Sequence, residues 1–78
     1  MNINKIKAEK LLSDIHAIAY GSKLIHSTHG YDLFELAQSH YSAIGDNEEL
    51  DLEILKFLRQ AKASLNALAK LQELVVVG

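Results

Sequence analysis

The chain has 78 residues, of which 49% are hydrophobic and 23% charged, and its net charge is −2 at pH 7 with histidine neutral. This composition is typical of a folded globular domain and too apolar for a disordered segment. The absence of cysteine excludes disulfides, thiolate zinc sites and cysteine nucleophiles. Eight basic and ten acidic side chains argue against non-specific nucleic-acid binding.

The first amphipathic segment predicts a helix over residues 4–28. Its inward-facing positions recur at alternating steps of three and four, the spacing of one helical face. They are Ala8, Leu11, Ile15, Ile18, Ser22 and Ile25. Gly30 is the predicted stop, because glycine readily takes the left-handed conformation that often ends a helix. Gly21 is the alternative stop, with a second helix then starting at Ser22, and helix propensity does not separate the two.

A shorter helix is predicted over residues 32–44. Asp32 and Glu35 have the spacing of an N-cap residue and its reciprocal partner three residues later, and this pair favours the break at Gly30. Its predicted inward-facing residues are Leu33, Phe34, Ala37, Tyr41 and Ile44. Gly45 is the predicted end of this helix.

A third, long helix is predicted over residues 47–75. Asp46 and Glu49 repeat the spacing of a cap and its partner, and acidic residues come early in the segment, as the helix dipole favours. The predicted inward-facing residues are Leu50, Ile54, Phe57, Leu58, Ala61, Leu65, Leu68 and Val75. The sequence therefore predicts an all-α fold, a small three-helix bundle over residues 1–78 with two long helices and a shorter middle one.

The C-terminal half of the third helix is richer in apolar residues than one neighbouring helix can cover. Because the middle helix is short, this half is expected to project beyond the other two. An exposed apolar surface of that extent marks an interface, so we expect a homodimer formed through the C-terminal helix. The predicted interface residues are Leu65, Leu68, Leu71, Leu74 and Val75.

Two groups of polar side chains are candidates for binding, and each also has an ordinary structural explanation. The first group is acidic. Its structural explanation is that it caps the third helix and complements the helix dipole, and its functional one is an acidic docking surface for a basic partner. It consists of Asp46, Glu48, Glu49, Asp51 and Glu53. The other is His26 and His29, whose spacing on one helical face suits zinc, nickel or copper. Both imidazoles also lie in the last turn of the predicted first helix, where the helix dipole favours a cation for ordinary structural reasons, so the sequence predicts no resident metal and no cofactor.

By elimination, the sequence predicts a small non-catalytic protein that binds another protein, as a regulator, inhibitor or adaptor of phage or mobile-element type. No nucleophile elbow, phosphate loop or Walker pattern indicates an enzyme. No apolar run reaches the ~18 residues of a membrane span, and a cytoplasmic location is expected. One alternative is a DNA-associated regulator using Lys5, Lys7 and Lys10, although the acidic start of the third helix disfavours nucleic acid. The other is a histidine-based metal-binding protein.

Overall fold

The computed structural model describes residues 3–45 and 47–77, with side chains to residue 75, and all regular structure in that part of the chain is helical. The three α-helices are α1 (Ile3–Gly21), α2 (Thr28–Tyr41) and α3 (Glu48–Val77). A short 3-10 helix, Leu24–His26, connects α1 to α2. The predicted all-α, three-helix architecture is confirmed, in a molecule measuring 47 × 18 × 16 Å.

Long-range contacts show that α1 and α3 run parallel. In the middle of α1, Asp14 pairs with Lys62 Nζ at 2.9 Å. Just beyond the end of α1, the carbonyl oxygen of Ser22 accepts a hydrogen bond from Gln72 Nε2 at 2.9 Å. Later residues of α1 therefore contact later residues of α3, so the two helices run in the same direction.

The middle helix, α2, runs antiparallel to α1. At the end of α2 the Tyr41 hydroxyl donates to Glu9 Oε1, near the start of α1, at 3.2 Å. Towards the other end of the pair, the rings of His16 and Phe34 meet edge to face with centroids 5.5 Å apart. The topology is thus up-down-up, with one apolar core running between the three helices.

Most predicted inward-facing residues are buried or half-buried, but two of those in α3 are not. Leu50 is 47% exposed and Val75 is 77% exposed, whereas Leu58 and Leu65 are fully buried. Leu50 lies in the first turn of α3, and Val75 lies in its last turn, beyond the contact of Gln72 with the end of α1.

The first helix ends at Gly21, so the prediction of a helix over residues 4–28 is wrong and the alternative stop is the observed one. The Ser22 hydroxyl donates to the Ile18 carbonyl oxygen at 2.5 Å, a local bond that competes with continued helix. Lys23 then takes a left-handed conformation with φ 63°. The turn brings Leu24 into the core, where it is 4% exposed.

Gly30 does not end a helix, because it lies in the first turn of α2. A Cβ atom built on Gly30 would approach the Leu24 carbonyl oxygen to 2.1 Å. Glycine is therefore required by the close approach of two backbone segments. A close approach and a left-handed conformation both select glycine, so the sequence alone does not distinguish them.

The N-cap of α2 is Ser27, so the prediction that Asp32 caps a helix over residues 32–44 is also wrong. The Ser27 Oγ accepts the backbone N–H of Gly30 at 3.1 Å. Asp32 lies within α2 and is exposed, while Glu35 Oε1 accepts the Tyr31 hydroxyl at 3.0 Å. Asp32 and Glu35 thus have the spacing of a capping pair without its position.

The third helix begins one residue later than predicted, at Glu48. Its N-cap is Asn47, whose Oδ1 accepts the backbone N–H of Leu50 at 3.0 Å. Asp46, the predicted cap, lies outside the described residues. Gly45 completes the turn that follows α2, and its φ of 144° is one that residues other than glycine rarely adopt.

Candidate interaction surfaces

The predicted dimer interface divides into a buried part and an exposed part. Leu65 is fully buried and Leu68 packs against the core, so both belong to the fold of the single chain. Leu71, Leu74 and Val75 are 57%, 62% and 77% exposed. We call these three residues the C-terminal apolar patch. The projecting part of α3 is therefore shorter than predicted, because α1 runs parallel to α3 and accompanies it as far as Gln72.

The predicted acidic docking surface is also divided by the structure. Glu48, Glu49 and Glu53 are exposed at the start of α3. Asp51 is only 2% exposed, and its carboxylate accepts the backbone N–H of Gly45 at 3.1 Å. Asp51 therefore holds the turn before α3 and is not part of a docking surface. That the three exposed glutamates meet a basic partner stays a prediction.

The two histidines considered as metal ligands do not share a helical face. His26 ends the 3-10 helix and His29 lies in the first turn of α2. His26 and His29 would share a face only in one continuous helix through both residues, and the break after Gly21 excludes such a helix. Within residues 3–45 and 47–75, no three histidine or acidic side chains are grouped so that they could hold a metal ion.

Aromatic side chains line the seam between α1 and α2. His16 stacks on Tyr20 with centroids 4.4 Å apart, and both rings contact Phe34. At the opposite end of the seam, Lys5 Nζ lies 4.2 Å from the centre of the Tyr41 ring. These contacts place Tyr20 and Tyr41 in the packing of the two helices, with their polar ends at the surface.

A groove that the sequence pattern does not reveal runs between the outer sides of α1 and α3. It consists of two depressions of about 350 and 370 Å³ that share Asn66. Apolar or small residues form most of its floor: Leu11, Ala17, Ile18, Gly21, Ala63 and Ala69. Three basic side chains line it as well, namely Arg59, Lys62 and Lys70. We call this feature the α1/α3 groove.

Comparison with known proteins yields no match to a family model, to a curated protein or to a solved structure. No helix of the described residues combines the length and the apolar character needed to cross a membrane.

Proposed function

We propose that this protein is a small non-catalytic protein-interaction module, acting as a regulator, inhibitor or adaptor, and that it forms a homodimer through the C-terminal apolar patch. The observation that carries the proposal is the exposure of Leu71, Leu74 and Val75 on consecutive turns of α3. Full burial of an aliphatic side chain of this size contributes roughly 1.5–3 kcal/mol relative to exposure. A second copy of the same patch is the occupant that we propose.

Helical spacing supports an antiparallel pairing of two α3 helices. Leu71, Leu74 and Val75 are three and four residues apart, so they lie on one face of the helix. In a two-fold antiparallel pair, this face of each helix meets the same face of its copy. Leu71 of one copy then lies beside Leu74 of the other. The patch is thus complementary to itself in apolar contact.

Sedimentation equilibrium of purified protein tests the proposal. The wild type is expected at twice the chain mass of 8.7 kDa. The double variant Leu71→Gln, Leu74→Gln is expected at 8.7 kDa with its helix content retained, because glutamine is a good helix former and neither leucine is in the core.

The matched control is the double variant Leu36→Gln, Leu52→Gln. These leucines are 47% and 53% exposed and lie outside the patch. The control is expected to remain dimeric. A monomeric wild type, or equal dissociation of both double variants, contradicts a dimer through the C-terminal apolar patch.

A further inference from the structure

Folding concentrates positive charge along the α1/α3 groove of a protein whose net charge is negative. Arg59, Lys62 and Lys70 line the groove from α3. From α1, Lys7 and Lys10 occupy the same helical stripe as Asp14, Ala17 and Gly21, because these residues follow one another at steps of three and four. Two of these α1 residues, Ala17 and Gly21, line the groove, so both lysines extend its rim towards the start of α1.

Acidic residues do not cancel this charge. The carboxylate of Asp14 is already paired with Lys62 at 2.9 Å. Glu73 lies at the far end of the groove, beside Gly21 and Ser22. Along the groove and its rim, five basic side chains thus accompany two acidic ones: Arg59, Lys62, Lys70, Lys7 and Lys10 against Asp14 and Glu73. By contrast, α2 contains Asp32 and Glu35 and has no lysine or arginine.

We propose that the α1/α3 groove binds an acidic amphipathic helix of a partner protein. Two parallel helices leave a furrow into which a third helix packs at an axial distance of about 8–10 Å. The apolar stripe of the partner helix lies on Leu11, Ile18 and Ala69, and its flanking carboxylates pair with Arg59 and the lysines. From Leu11 to Ser22 the groove extends roughly 17 Å at ~1.5 Å per residue, so a helix of about 12 residues covers it.

The composition of the groove favours a helix over a nucleic acid. A phosphate backbone needs charged and polar donors along its path, and arginine is the side chain that best matches phosphate geometry. This chain has one arginine, Arg59, and the floor of the groove is mostly apolar. An apolar floor with a basic rim is instead complementary to a helix that has an apolar stripe and acidic flanks.

The test is selection from a displayed library of helix-forming peptides. Each peptide carries a fixed alanine and leucine stripe and random Glu, Lys or Gln residues at the flanking positions. Selection on the wild type is expected to enrich peptides of net negative charge. For a selected peptide, anisotropy titration is expected to show affinity that falls as salt is raised and that drops at least tenfold for the double variant Lys7→Gln, Arg59→Gln.

Two matched variants make the result specific. The double variant Lys5→Gln, Lys23→Gln removes the same charge away from the groove, and its affinity is expected to stay within twofold of the wild type. The Leu71→Gln, Leu74→Gln variant is expected to bind the peptide normally, which separates this site from the proposed dimer interface.

Four results would overturn the proposal. The first is that acidic peptides are not enriched, and the second is that both charge variants weaken peptide binding equally. The third is that the Leu71→Gln, Leu74→Gln variant loses peptide binding. The fourth is that a 20-base-pair DNA duplex binds more tightly than the selected peptide, in a manner that depends on Lys7 and Arg59. The last result would assign the groove to nucleic acid, and the third would assign peptide binding to the dimer interface.

Discussion

Two glycines near the connection between α1 and α2 have very different surroundings. A Cβ atom on Gly30 would meet the Leu24 carbonyl oxygen at 2.1 Å, whereas a Cβ atom on Gly21 would meet nothing within 4 Å. We therefore expect Gly30→Ala to lower the free energy of unfolding by about 1–3 kcal/mol through overpacking. Gly21→Ala is the matched control and is expected to raise it by up to about 1 kcal/mol, because alanine favours helix. Urea unfolding followed by circular dichroism measures both, and a tolerated Gly30→Ala would contradict the close approach.

Tyr31 provides a pH-dependent contact at the surface of α2. The hydrogen bond from its hydroxyl to Glu35 raises the pKa of Tyr31, and the negative charge of Glu35 raises it further. Because the folded-state pKa lies above the unfolded one, this contact contributes fully below the unfolded pKa of about 10 and is lost as pH rises through the folded value. Glu35→Ala is expected to lower the pKa of Tyr31, measured from the ring carbon shift by NMR. Unchanged titration of Tyr31 in that variant, with Glu48→Ala as control, would show that Glu35 is not the cause.

At the scale of the element, one hydroxyl decides where α2 begins. Ser27 Oγ accepts the N–H of Gly30, and Asp32 forms no part of the cap. We expect Ser27→Ala to cost about 1 kcal/mol of stability, the usual loss for an N-cap serine. Asp32→Ala is expected to change stability by no more than about 0.5 kcal/mol, as for other exposed helix positions. Chemical denaturation of the two variants distinguishes them, and a larger loss for Asp32→Ala would place the cap where the sequence pattern put it.

Apolar spacing was enough to predict three helices and most of the core, because one stripe per helix must face the others in so small a bundle. It did not predict the end of α1. The residues from Ser22 to Ile25 continue the helical spacing, and the predicted inward-facing stripe includes Ile25 and not Leu24. The observed break depends on the fit of Gly30 against the Leu24 backbone, which is a contact between segments and leaves no periodic signal.

The candidate surfaces were predictable to different degrees for a related reason. Leu71 and Leu74 are recognisable as surplus apolar residues because their helix is longer than its neighbours. That Asp51 is not part of the acidic docking surface was not predictable, because its hydrogen bond from the Gly45 N–H depends on the path of the preceding turn. The α1/α3 groove was not predictable from composition, because the net charge is a sum over the whole chain and does not show where the basic residues lie. Lys7 and Arg59 come to the same side of the molecule only when α1 and α3 pack in parallel.

At the scale of the whole molecule, assembly and stability are expected to be coupled. A chain of 78 residues buries a small core, and a dimer adds the C-terminal apolar patch to it. When a dimer unfolds to two unfolded chains, a tenfold rise in protein concentration raises the free energy of unfolding by ~1.4 kcal/mol per dimer, which is half that amount per protomer. The Tm is therefore expected to rise by roughly 3–6 °C. Calorimetry at several protein concentrations measures this slope. The Leu71→Gln, Leu74→Gln variant is expected to lose the slope and the Leu36→Gln, Leu52→Gln control to keep it. A wild-type Tm independent of concentration would mean that the folded chain is stable alone and that the patch adds nothing to its folding.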